Sequence, residues 1–247
     1  MRIITAPQVY LVGHQTVSSD ELDRFLSDHG VSWESDSSVG SEVLVETAGR
    51  VCYMSYARPR PGGNKSYIQH ILEARHGSVL EHAVFSLLIT GISRSLSHEF
   101  VRHRHMSFSQ LSQRYVDESS PEYVVPEIIA ADASLFSIWR KAMQYAHDSY
   151  VQLTHMIQSQ LEAGSIKTVR QAARSVLPNA TETKLFVTAN ARAWRHFLLL
   201  RGSKQADPEI RRLAIHIYKT LVSESPNLFE DIQVQTDETL SSSWGAP

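Results

Sequence analysis

The apolar positions of this chain fall into short alternating runs and longer runs of helical period. Val9 to Val12 alternates as a short strand, and the weakly periodic, Ser- and Asp-rich stretch from Ser18 to Ser41 reads as a surface helix with loops. Pro61, Gly62 and Gly63 follow one another within ARPRPGGN (Ala57 to Asn64), so that stretch is expected to be a loop. From Lys65 to Arg75, Tyr67, Ile68, Ile71 and Leu72 line one face of a helix, which His76-Gly77 ends. His82 to Thr90 (HAVFSLLIT) has the β-branched and aromatic content of a buried strand, and Gly91 is expected to stop it. Ile92, Leu96 and Phe100 then recur at helical spacing and predict a helix to about His103, on which His98, Arg102 and His105 share a face.

Leu135 to Leu161 is the longest periodic segment and reads as scaffold. Leu135, Ile138, Ala142, Met143, Ala146, Leu153, Met156 and Ile157 make its apolar stripe, and Gly164 is placed as its stop. A helix from Ile166 to Val176 sets Ile166, Val169, Ala173 and Val176 on one side and Lys167, Arg170 and Arg174 on another, and Pro178 closes it. Lys184 to Ala189 alternates as a strand, and Ala191 to Leu200 continues as a helix ended by Gly202. Asp207-Pro208-Glu209 supplies a cap and a first-turn proline for a last helix, expected to bury Ile210, Leu213, Ala214, Ile217 and Leu221. Few strands, several helices and no regular strand-helix alternation predict an α+β fold, one domain over residues 1–235 with a disordered tail over 236–247.

A formal charge of -2 argues against non-specific nucleic-acid binding by the whole chain, so a local basic cluster is read as a site. No run of about 18 apolar residues occurs, and the N-terminus lacks the apolar core and cleavage site of a signal peptide. A cytoplasmic protein with no membrane partner is expected. The single cysteine, Cys52, excludes an internal disulfide framework and cysteine-rich zinc sites. It lies in GRVCYMSY among apolar and aromatic neighbours, without a His-Asp pair nearby in sequence, and is expected to be buried and structural.

The chemistry concentrates in Arg102 to Arg114 (RHRHMSFSQLSQR), which holds three arginines, two histidines and three serines without one acid. It is expected to begin at a helix end and run into a loop. A guanidinium fits phosphate or carboxylate with two donors at once, and serine hydroxyls fill the remaining lone pairs. Met106, Phe108 and Leu111 interleave with the arginines and imply partial burial, where an arginine needs an anionic partner. Competing readings are a merely solvated basic face, and a nucleotide- or RNA-binding module whose affinity falls steeply with salt. A metal site on His98, His103 and His105 is disfavoured by the adjacent arginines, and no metal is expected. The Gly-rich phosphate loops of dinucleotide and nucleoside triphosphate sites are absent. Further along, Arg192 and His196 share a helix face and Arg201 lies half a rotation away near the helix end. There it either serves the helix dipole or, with Asn190, a second and larger ligand.

Arg102-His103-Arg104, two residues, Ser107, four residues, Ser112, one residue, Arg114 resembles the signature of the flavin-dependent (alternative) thymidylate synthases. The likeness extends through GRVCYMSY, HGSVLEH, RQAARSVLPNATET, NARAWRHF and RRLAIHIY, in order over roughly Glu42 to Glu230. It implies a homotetramer of α+β subunits, with a central, mostly antiparallel sheet, flanking helices and sites shared between subunits. It also implies bound FAD and conversion of dUMP to dTMP, with methylenetetrahydrofolate as carbon donor and NADPH as reductant. In the implied mechanism the flavin relays the one-carbon unit and the electrons, and no enzyme cysteine attacks the uracil.

By the same resemblance the dUMP contacts are Glu99, Phe100, Val101, Arg102, Gln110, Leu111, Ser112, Gln113, Arg114, Arg174 and Arg201. Arg201 takes the catalytic role, stabilising negative charge on the uracil ring. FAD contacts carry over to His76, Ser78, Arg102, His103, Arg104, Gln110, Asn190, Arg192 and His196. Some family members carry an acid where Gln110 stands and a glutamine where Glu99 stands, which changes the hydrogen-bond polarity there.

Overall fold

The computed structural model describes residues 1–58, 60–160 and 165–245. In chain order the strands are β1 (Arg2–Ile4), β2 (Gln8–Gly13), β3 (Val84–Ser93), β4 (Met106–Gln110), β5 (Glu122–Val124), β6 (Glu182–Asn190), β7 (Ile232–Val234) and β8 (Leu240–Ser242). The helices are α1 (Ser19–Asp28), α2 (Gly40–Val51), α3 (Gly63–Glu73), α4 (Arg94–Phe100), α5 (Glu127–Ala130), α6 (Ala133–Gln160), α7 (Ile166–Ala173), α8 (Ala191–Arg201), α9 (Pro208–Glu224) and α10 (Pro226–Phe229). The α+β class follows directly from this mixture. A four-stranded sheet runs β2-β3-β6-β4, with β1-β5 and β7-β8 as separate pairs.

The chain divides into two compact units, and β2, β3, β4 and β6 each contribute residues to both. The first unit comprises residues 1–8, 89–102 and 108–186. In it β1 pairs in parallel with β5, Arg2 opposite Glu122 and Ile4 opposite Val124. Helix α6 packs with α5 and α7. Ile92, Leu96, Phe100, Tyr123, Met143, Tyr150, Val169 and Leu185 form its core. Just beyond the ends of β3 and β6, the Arg94 N–H donates to the Thr181 carbonyl at 3.0 Å.

The second unit comprises residues 9–88, 103–107 and 187–247. Helix α8 packs on α9 and on a 3-10 turn, Gly77–His82, which also meets α2. Val45, Ile68, Leu80, Phe85, Trp194, Phe197, Ile217, Leu221 and Phe229 are fully buried there. Two buried ion pairs lie in this unit: Arg50 with Glu46, one turn apart within α2, at 2.7 Å, and Arg195 of α8 with Asp231, after α10, at 2.6 Å. Each arginine also donates to backbone carbonyls, Arg50 to Ser55 and Arg58, Arg195 to Leu228, while Arg195 Nε is buried without a partner among the described residues.

Several expectations are revised. Gly91 does not stop β3, which continues to Ser93. Its φ of +71° kinks the strand where the backbone of Ala6 and Pro7 approaches, and its N–H donates to Glu182 at 2.9 Å. Helix α4 ends at Phe100, so Arg102 and His105 lie beyond it and share no helix face with His98. The Arg102 to Arg114 segment is not a plain loop, because β4 occupies Met106–Gln110. Helix α3 begins at Gly63, inside the expected loop. The helix from Ile166 ends at Ala173 and tightens into a 3-10 turn over Arg174–Val176.

The stripe of α6 is mostly uncovered: Met143 is buried, but Leu135, Ile138, Ala142 and Met156 are exposed. The stripe is wider than α5 and α7 can cover. Leu161 and Gly164, the expected end of that helix, lie outside the described residues. The expected tail instead carries β8, antiparallel to β7 and packed on α8, with only residues 246–247 undescribed. Cys52 is exposed, its thiol donating to the Ala48 carbonyl at 3.4 Å.

Candidate functional site

In the first unit, Ser93 caps α4 by accepting the Leu96 N–H at 3.0 Å, and the helix carries Glu99 and Phe100 with Val101 as its C-terminal cap. Phe100 is fully buried edge-on to Phe108, ring centres 5.4 Å apart, so its side chain belongs to the core and only its backbone can meet a ligand. Gln110, at the end of β4, donates from Nε2 to Ser97 Oγ at 2.9 Å and Thr183 Oγ1 at 3.3 Å. Both donors are thus oriented by neutral hydroxyls, which leaves Oε1 for a ligand.

The stretch Leu111 to Arg114 is held from beneath. The Leu111 N–H donates to the Lys184 carbonyl at 3.0 Å, and Arg94 Nη2 donates to the Leu111 carbonyl at 2.7 Å. Arg94 had no signal in the sequence, since its neighbours look like any helix start. Burial lowers its pKa and raises that of nearby Glu118, which Gln113 hydrogen-bonds. Beyond Leu111 the chain turns: the Tyr115 and Val116 N–H groups donate to the Ser112 carbonyl, and Arg114 N–H to Ser112 Oγ at 3.4 Å.

That turn is braced by α7. Arg170 donates to the Tyr115 carbonyl at 2.6 Å and pairs with Asp117 at 3.3 Å, and Lys167 lies 4.8 Å over the exposed Tyr115 ring. A hydrogen bond from Lys167 lowers the Tyr115 phenol pKa. Arg174, on the turn after α7, is exposed. The arginines of the signature are less buried than the interleaved apolar residues imply: Arg102 and Arg104 are exposed and Arg114 is half-buried. Among the described residues no carboxylate pairs with Arg102, Arg104, Arg114 or Arg174.

In the second unit, Asn190 caps α8 through Oδ1, which accepts the Ala193 N–H at 2.9 Å. The helix then presents Arg192 and His196, both exposed, one turn apart. Arg192 is held at 2.6 Å by Glu81 and lies against Gly77, where an added Cβ would sit 3.0 Å from its Nε. Glu81 is a partner the residue-by-residue reading missed, although HGSVLEH contains it. His76 and Ser78 flank Gly77 and are exposed.

Phe197 and Arg201 lie one turn apart on another face of α8, and His103 sits on both. Its ring meets Phe197 edge-on at 5.2 Å and stands 6.1 Å from His196, while Arg201 Nε donates to His103 Nε2 at 3.1 Å. Burial, then Arg201 and His196, lowers the His103 pKa to about 4, so the imidazole is neutral. No group of three or more potential metal ligands is found among the described residues.

Residues 35–227 match the family described as thymidylate synthase complementing protein. A flavin-dependent thymidylate synthase of Mycobacteroides abscessus is 46% identical over 219 residues, 86% of this chain and 87% of the relative. The protein of that name from Mycobacterium tuberculosis is 48% identical over 219 residues, 86% and 87% of the two chains. The one from Corynebacterium aurimucosum is 47% identical over 220 residues, 86% and 88%. A family match over most of the chain, with relatives this similar along nearly their whole length, shows that the chain belongs to the family of the flavin-dependent thymidylate synthases.

Proposed function

We propose that this chain converts dUMP to dTMP with 5,10-methylenetetrahydrofolate as carbon donor, NADPH as reductant and FAD as cofactor, and without a cysteine nucleophile. The observation that carries the reading is the set of guanidiniums at Arg102, Arg104, Arg114 and Arg174, for which the described residues offer no carboxylate. Ser112 and Arg114, on their braced turn, grip the dUMP phosphate, and Arg174 adds a second guanidinium. Each charge-assisted hydrogen bond of this kind contributes about 1.5 to 3 kcal/mol. Gln110, its amide donors already engaged, accepts through Oε1, and Glu99, Val101, Leu111, Gln113 and the Phe100 backbone complete the dUMP contacts.

His76, Ser78, Asn190, Arg192 and His196, with Arg102, His103, Arg104 and Gln110, hold FAD. When bound, FAD supplies the transfer of electrons from NADPH and of the one-carbon unit from the folate. Arg201 stabilises the negative charge that develops on the uracil ring as its C5 carbon becomes nucleophilic. Four copies assemble, with sites shared between subunits.

The purified protein should be yellow or load with FAD, and should form dTMP from dUMP only when folate and NADPH are both present. A chain that stays colourless in excess FAD would end this reading. Arg201→Ala should retain flavin and lose about 100-fold or more of dTMP formation, the scale seen when a charge-stabilising donor is removed.

A further inference from the structure

We infer that His103 is a positioning residue for Arg201: its Nε2 atom accepts the Arg201 Nε–H and fixes the plane and direction of the guanidinium that acts on the uracil. The inference rests on the role of Arg201 proposed above and extends it to a residue otherwise assigned only to the flavin.

Arg201 is the last residue of α8. Helix-end geometry favours a cation there but sets no direction. A hydrogen bond at Nε does set one, because Nε, Cζ and both Nη atoms are coplanar and move as one plate. The acceptor is itself fixed. The His103 ring is held edge-on by Phe197, one turn before Arg201 on α8, and its carbonyl accepts the Met106 N–H at 3.3 Å. Ring and guanidinium thus rest on successive turns of a helix anchored by buried Trp194, Phe197 and Leu198.

Acceptance requires an Nε2 atom without a proton, hence the neutral tautomer protonated at Nδ1. A protonated imidazole would offer Arg201 a second donor and a like charge. Burial and the charges of Arg201 and His196 keep the ring neutral throughout the neutral pH range, so the acceptor is permanent rather than switched.

The test compares saturating-FAD kinetics of the full chain with His103→Gln, whose Oε1 reaches about as far as Nε2, and His103→Phe, which keeps the ring against Phe197 without an acceptor. His103→Phe should lower kcat for dTMP about 10- to 100-fold, the range for a hydrogen bond to a charged group, while the dUMP KM moves less than about 3-fold. His103→Gln should recover at least about 5-fold of the kcat that His103→Phe loses, because its carbonyl restores the acceptor. In an Arg201→Ala background, adding His103→Phe should cost less than about 2-fold more, because nothing remains to position. Should His103→Phe fail to fold, His103→Asn carries the same arm, its amide being too short to reach Arg201.

With wild type active and Arg201→Ala impaired, three results would overturn the inference alone. These are a His103→Phe at wild-type rate, a His103→Gln as poor as His103→Phe, or losses that multiply in the double variant. An inactive wild type or an unimpaired Arg201→Ala would instead remove the reading of Arg201, and this inference with it.

Discussion

At the scale of single residues, the neighbourhood in sequence proved a poor guide to burial. Cys52 lies among Val51, Tyr53 and Met54, yet these are 44%, 79% and 44% exposed and the thiol is exposed with them. Exposure alone does not make a nucleophile, which also needs a base or a cation to form the thiolate. Cys52→Ser is therefore predicted to keep dTMP turnover within about 2-fold of wild type in a steady-state assay, and a complete loss would bring back an attacking thiol. The arginines of the signature were legible because charge without acid is visible in the sequence. Arg94 and Glu81 were not, since their roles come from contacts with Leu111 and Arg192, 17 and 111 residues away. His103 carries a pH prediction. Burial first, and then Arg201 and His196 facing it, set its folded pKa at about 4, below the ordinary 6.5, so as pH falls the unfolded chain takes up the proton first. Its contribution should lower stability progressively from about pH 6.5 to about 4, and chemical denaturation of wild type against His103→Gln should show the gap closing over that window. A difference constant with pH would contradict it.

Elements fixed by their own residues are legible in the sequence, and elements fixed by their neighbours are not. Helix α9 is fixed locally: Asp207 accepts the Glu209 N–H at 2.9 Å, Pro208 opens the helix, and the five residues expected inside are all fully buried. Strand β3 differs because Gly91 signals a stop only if nothing accepts its unusual backbone. Here β1 and the residues after it pack against that kink, and Glu182 takes the freed N–H. The two cases predict different costs. Asp207→Ala should lower stability by about 1 kcal/mol, as for an ordinary cap. Gly91→Ala should cost more, because a left-handed φ adds about 1 to 2 kcal/mol and its Cβ would lie 2.8 Å from the Ala6 carbonyl oxygen. Urea unfolding midpoints would rank the pair, and a Gly91→Ala no worse than Asp207→Ala would show that the kink is not required.

For the whole molecule, the unexplained quantity is apolar surface. Helix α6 buries Met143 and Tyr150 against its own unit, but Leu135, Ile138, Ala142 and Tyr145 recur at intervals of three and four on a second line. Ile138 and Tyr145 are 69% and 76% exposed, as is Ile128 of α5 at 76%. Periodicity gave the stripe correctly, but a period cannot say whether the covering partner is in the same chain. Contiguous apolar surface of this kind marks an interaction face. In the assembly of four copies proposed above, further copies of this chain would cover it. A lysine at its middle would bring an unpaired charge into the contact, and Ile138→Lys should shift the light-scattering mass of the micromolar protein from four chains toward smaller species. Because the line faces away from the buried side of α6, the folded subunit itself should keep its circular dichroism. If sites are shared between subunits, dTMP formation should fall in step with the mass. A fully active monomer would separate catalysis from assembly, and an Ile138→Lys that keeps the wild-type mass would show that this line of α6 is not where the copies meet.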